Sequence, residues 1–133
     1  MEIETLDPRS AFSKADLSSI NIDLSFIVDK MKHTNSWLKG ELNSIVLLNT
    51  HEKQMVLTAV HKGTEITSFQ KNDSLSVAIF DGEVNFHTVN ESVILNKGQT
   101  MTLHDHIEYS LKTRKESVLL LTIANKNLLQ GEN

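Results

Sequence analysis

Two histidines stand one residue apart in His104-Asp105-His106, and Glu108 follows two positions later. In an extended segment residues i and i+2 face the same side, so two imidazoles could grip one surface metal with a carboxylate close by. The plainer reading of such a loop pair is two solvated or capped side chains, and the metal stands as its alternative. Other reactive chemistry has no signature. There is no cysteine, which removes disulfides, thiolate zinc sites and thiol nucleophiles together. The chain has no G-x-S-x-G elbow, no H-E-x-x-H pair, no phosphate-cradling glycine loop and no dinucleotide fingerprint. Serine, histidine and aspartate occur, but no spacing links them.

Charge narrows the partners. The formal net charge is −4 over 133 residues. The basic cluster Lys112, Arg114, Lys115 is followed by Glu116, which reads as a solvated turn. Nucleic acid calls for a basic stripe with interleaved aromatics, and none is visible, so no nucleic-acid partner is expected. Met1 to Ser10 carries Glu2, Glu4 and Asp7 and no apolar run, so no signal peptide is expected. No stretch approaches the ~20 apolar residues that span a bilayer. The expectation is a cytoplasmic protein with no membrane partner.

The elements follow from periodicity. A length of 133 residues suits one domain with a real core. Residues 1–20 lack strong periodicity and read as an N-terminal arm. A short helix is predicted from Asp23, because Leu24, Ile27, Val28 and Met31 make an apolar stripe and Asp23 can cap the first turn. Phe26 falls off that stripe. His33 to Gly40 reads as a connector, which completes a 21–42 segment. The pattern then turns to short β runs at Ser44–Asn49, Gln54–His61, Leu75–Phe80, Glu83–Thr88, Ser92–Leu95, Thr100–Leu103, Glu108–Lys112 and Ser117–Ala124. Asp81-Gly82 between two apolar runs predicts a two-residue hairpin turn. Evenly spaced short strands without intervening helices predict an all-β barrel or sandwich over residues 43–126, with a polar tail at 127–133.

Three glycines give the pattern a more particular likeness. Gly63 and Gly82 stand at the two ends of the spacing G-x5-H-x-H-x3-E-x6-G, and Gly98 begins the spacing G-x5-P-x-G-x2-H-x3-N. With the runs Ser76 to Phe86, Leu95 to Gly98 and Ser117 to Ile123, the chain resembles a small single-domain cupin of the RmlC-like superfamily over roughly residues 44–124. The resemblance implies a double-stranded β-helix, the jelly-roll cupin barrel, and often a homodimer. It says little about activity, since such folds carry many chemistries.

The resemblance also places the family's metal ligands, and here they are replaced. The two histidine positions of the first motif hold Phe69 and Lys71, its glutamate position holds Leu75, and the histidine of the second motif is Tyr109. The proline, glycine and asparagine of the second motif are His104, His106 and Thr113. A divalent ion in such a site takes neutral imidazoles and a carboxylate. No cofactor is therefore expected, with a relocated metal at His104 and His106 as the alternative. Period-two alternation sends Leu75, Val77 and Ile79 inward together. Phe69, Lys71, Leu75 and Tyr109 would then line either a mostly apolar ligand pocket or a filled core with Lys71 reaching the mouth. The pocket reading suits a small acid or an oxygen-rich ligand, and its sharper version makes Lys71 and Tyr109 an acid/base pair for a metal-independent isomerase, epimerase or lyase. His61, just before Gly63, is expected near the mouth. His87 has the parity opposite to Val84 and Phe86 and is expected on the outer face. Trp37, the only tryptophan, is expected at the barrel edge or in an interface. The aliphatic run Val118 to Leu121 reads as a buried strand whose alternate residues could instead face a second subunit. The leading expectation is a metal-free small-molecule-binding or accessory module, with the enzyme as alternative.

Overall fold

The computed structural model describes residues 21–70, 73–104 and 107–125, with the backbone alone described at 68–70, 73 and 125. The expected arm at 1–20 and tail at 127–133 lie outside the described residues.

The first helix, α1 (Leu24–Met31), begins where the sequence places it. Asp23 has extended backbone, and its Oδ1 accepts from the Phe26 N–H at 3.1 Å, satisfying a donor the first turn leaves over. Ile27 and Met31 are buried, and Leu24 and Val28 pack against the same cluster. Phe26 is half exposed, with Lys30 Nζ 5.4 Å from its ring. A second, four-residue helix, α2 (Asn35–Leu38), replaces part of the expected connector. One turn shows no period, but its cap is local chemistry: Thr34 Oγ1 accepts from Trp37 N at 3.1 Å.

Nine strands follow among the described residues: β1 (Asn43–Asn49), β2 (Lys53–Val60), β3 (Glu65–Gln70), β4 (Asp73–Asp81), β5 (Glu83–Thr88), β6 (Ser92–Asn96), β7 (Thr100–Leu103), β8 (Ile107–Thr113) and β9 (Ser117–Asn125). They form two antiparallel sheets, ordered β1-β2-β9-β4-β7 and β3-β8-β5-β6. This is the all-β jelly roll that the sequence predicts. β3 is absent from the sequence-predicted strands because its apolar residues, Ile66 and Phe69, are three apart and break the period of two.

The Asp81-Gly82 hairpin expectation is corrected. β4 pairs with β7 and β9, whereas β5 pairs with β6 and β8. Asp81-Gly82 is a corner that carries the chain from one sheet to the other. All three motif glycines have positive φ, at 83° for Gly63, 103° for Gly82 and 88° for Gly98, which a residue without a Cβ adopts freely.

Two apolar clusters result. Leu75, Val77 and Ile79 point between the sheets, where they meet Val84, Phe86, Leu111 and Leu119. On the other side of the five-stranded sheet, Leu57, Ala59 and Val118 lie under Ile27, Met31 and Trp37 of the helices. β9 serves both clusters: Leu119 and Leu121 face the barrel interior, while Val118 and Leu120 face the helices. The run expected to be a buried strand is one, and its alternate residues are covered by α1 and α2.

Candidate functional site

Strand register sorts the loops to the two ends of the barrel. Val60 pairs with Ser117, Val84 with Thr113, and Ala78 with Thr100, so the turns holding Gly63, Gly82, Gly98 and Arg114–Glu116 gather at one end. The β5–β6 and β7–β8 connections and the end of β3 belong to the other end, the mouth.

The glycine end is closed by hydrogen bonds. Thr113 Oγ1 donates to His61 O at 2.6 Å and accepts from Thr64 N at 3.0 Å, while Gly63 N donates to Thr113 O at 2.8 Å. The residue standing where the family motif writes asparagine thus ties down the turn of the first motif glycine. Ser117 Oγ accepts from Glu83 N at 3.1 Å and donates to Lys115 O at 2.8 Å. The Glu83 carboxylate lies 3.2 Å from Arg114 Nε and 3.9 Å from Lys115 Nζ, and Glu116 lies 2.7 Å from Lys32 Nζ. Arg114 and Lys115 form a solvated turn, paired with Glu83 and not with the adjacent Glu116, while Lys112 stands in β8. His61 also sits at this end, not at the mouth. Its ring stacks on Trp37 with centroids 3.6 Å apart, and its Nε2 lies 3.0 Å from Trp37 O. That Nε2 carries the proton, since a carbonyl can only accept.

The mouth holds an open groove of about 420 Å³ between the β5–β6 and β7–β8 connections. Leu103, Ile107 and Val89 give it an apolar side, and Thr88, Glu91, His104 and Glu108 supply polar atoms. Val89 is 90% exposed at the hairpin tip. A second groove of about 370 Å³ runs over the outer face of the four-stranded sheet, past Glu65, Thr67, His87 and Ser110. His87 is exposed on that outer face, as its parity predicts.

Of the four residues that the sequence resemblance sets at ligand positions, Leu75 and Tyr109 have described side chains. Leu75 is 2% exposed inside the interior cluster. Tyr109 is half-buried against that cluster, with its ring 5.3 Å from Phe86 and 9° from parallel. A leucine in an aliphatic interior offers no lone pair, and a stacked phenol is not the neutral imidazole such an ion takes. The Phe69 side chain and Lys71 lie outside the described residues, although the backbone pairs Phe69 with Glu108 and Ser68 with Tyr109. His104 is exposed in the mouth groove, and its expected companion His106 lies outside the described residues. Among the described residues no cluster of three metal-ligating side chains occurs, and no helix is long and apolar enough to cross a membrane.

Sequence reasoning missed the Trp37–His61 stack, whose members are far apart in the chain and carry no shared pattern. It also missed the Thr88–Glu91 side of the mouth groove, where the signal available was the exposed Asn90-Glu91 turn.

Comparison with known proteins agrees with this architecture. No protein-family model and no curated protein sequence matches the chain. Solved structures do. An RmlC-like cupin from Shewanella frigidimarina superposes with a TM-score of 0.60 at 20% identity, covering 65% of this chain and 78% of that one. The cupin domain of Schizosaccharomyces pombe Cnp3 gives 0.61 at 17% identity, over 69% of this chain and 72% of that one. A cupin-2 domain protein, also from Shewanella frigidimarina, gives 0.61 at 11% identity, over 76% and 91%. The chain has the cupin fold.

Proposed function

We propose that this chain is a ligand-binding or accessory module of cupin fold that works without a metal at the fold's usual position and assembles as a homodimer. The observation that carries the reading is Leu75. It stands where the motif calls for a metal-ligating glutamate, and it is 2% exposed among aliphatic side chains. A carboxylate there would need partners that this cluster does not hold. The ligand is a small molecule, taken at the mouth, where the groove beside Thr88, Leu103 and His104 has the volume usual for such sites.

Elemental analysis of protein made without a metal-affinity tag tests the metal-free part. No stoichiometric iron, manganese, nickel or zinc is expected, and one equivalent of any of them would refute it. Thermal-shift screening against small acids and oxygen-rich compounds tests the site. A compound that stabilises the native chain should lose its effect in Asn90→Trp, which fills the groove from its exposed rim. An undiminished shift in that variant would place the ligand elsewhere.

A further inference from the structure

The joint between the helices and the first strand leaves one buried polar atom without a partner, and a second, the Ser36 hydroxyl, with only Thr34 Oγ1 beside it. Asn43, the first residue of β1, is 1% exposed. Its Nδ2 donates to Met31 O at 3.2 Å and to Thr34 Oγ1 at 3.1 Å, while its Oδ1 is buried with no donor in reach among the described residues. The amide cannot usefully be turned over, because its carbonyl would then face the Met31 carbonyl, oxygen against oxygen.

Thr34 accounts for the second group. Its hydroxyl donates to Met31 O at 3.0 Å and accepts from Trp37 N and from Asn43 Nδ2, each at 3.1 Å. One donor and two lone pairs are then spent, which is the whole capacity of a hydroxyl. Ser36 is 2% exposed, and its Oγ lies 3.3 Å from that same saturated oxygen. The Ser36 proton therefore lacks an acceptor there. An acceptor on Asn43 and a donor on Ser36, both buried beside Thr34, are complementary but not in contact.

We infer that this joint is a binding site for one internal water molecule, which donates to Asn43 Oδ1 and accepts from the Ser36 hydroxyl. Internal waters make about two to four hydrogen bonds to buried groups that the protein leaves unpaired, and this node supplies both kinds. The site lies where the last carbonyl of α1, the cap of α2 and the start of β1 meet, so the water forms part of the seat on which the helices rest.

A crystal structure of the full chain, refined with solvent, tests this. The expected result is one well-ordered oxygen within ~2.7–3.2 Å of both Asn43 Oδ1 and Ser36 Oγ. In Ser36→Ala the fold should persist and that oxygen should be lost or fall well below full occupancy. Absence of an ordered oxygen in the native chain, a protein donor on Oδ1, or an undisturbed oxygen in Ser36→Ala would each overturn the assignment.

Discussion

Gly82 does two things that no other residue type can do at once. Its φ of 103° lies in the left-handed region, and a Cβ built there would meet Ser117 Oγ and come within 2.6 Å of Glu116 O. Gly98 shares the positive φ but opens onto free space. Gly82→Ala should therefore lower unfolding stability by more than about 2 kcal/mol, against about 1 kcal/mol for Gly98→Ala. Urea unfolding of the two variants checks the difference, and equal losses would refute the close-packing account. Leu75→Ala should cost about 2–5 kcal/mol as a buried leucine truncation. The glycine frame and the inward face of Leu75, Val77 and Ile79 were legible because tight turns and period-two burial are local. The destination of Gly82 was not. Asp81-Gly82 reads as a hairpin until the register shows that β4 and β5 belong to different sheets, and that is decided by residues such as Ser117, far along the chain.

The helical cap owes its position to a few polar side chains and one tryptophan. Asp23 and Thr34 both cap helices, but Asp23 is exposed while Thr34 is 4% exposed and also bonded to Met31 O and Asn43. Asp23→Ala should cost about 1 kcal/mol or less. Thr34→Ala should cost about 2 kcal/mol or more, because the buried Asn43 amide and Trp37 N–H lose a partner with it. Trp37 is 6% exposed and is the only tryptophan, so its emission reports this cap directly. Emission should shift to the red and quench more readily in Thr34→Ala, and stay native in Asp23→Ala. α1 could be read from its stripe and cap because four apolar residues repeat on one face. α2 could not, since one turn carries no period, and β3 could not, since Ile66 and Phe69 fall out of step.

At the scale of the whole molecule, the fold was largely readable and the site was not. Strands announce themselves through alternation, whereas the groove beside Thr88 and His104 forms where the β5–β6 and β7–β8 connections come together in space, a meeting that no local periodicity marks. The proposed homodimer follows from the fold's habit and the edges β1, β3, β6 and β7, which two open sheets leave without a neighbour. Light scattering at micromolar concentration should return twice the chain mass, and a monomer would count against it. β9 adds a condition on how the protein is made. It lies between β2 and β4 and supplies side chains to both apolar clusters. Until Ser117–Asn125 has been synthesised, those two strands have bare edges toward each other, and neither cluster is complete. Folding on the ribosome must therefore wait for the ninth strand, and through that wait the nascent chain depends on whatever shields unpaired β edges in the cell.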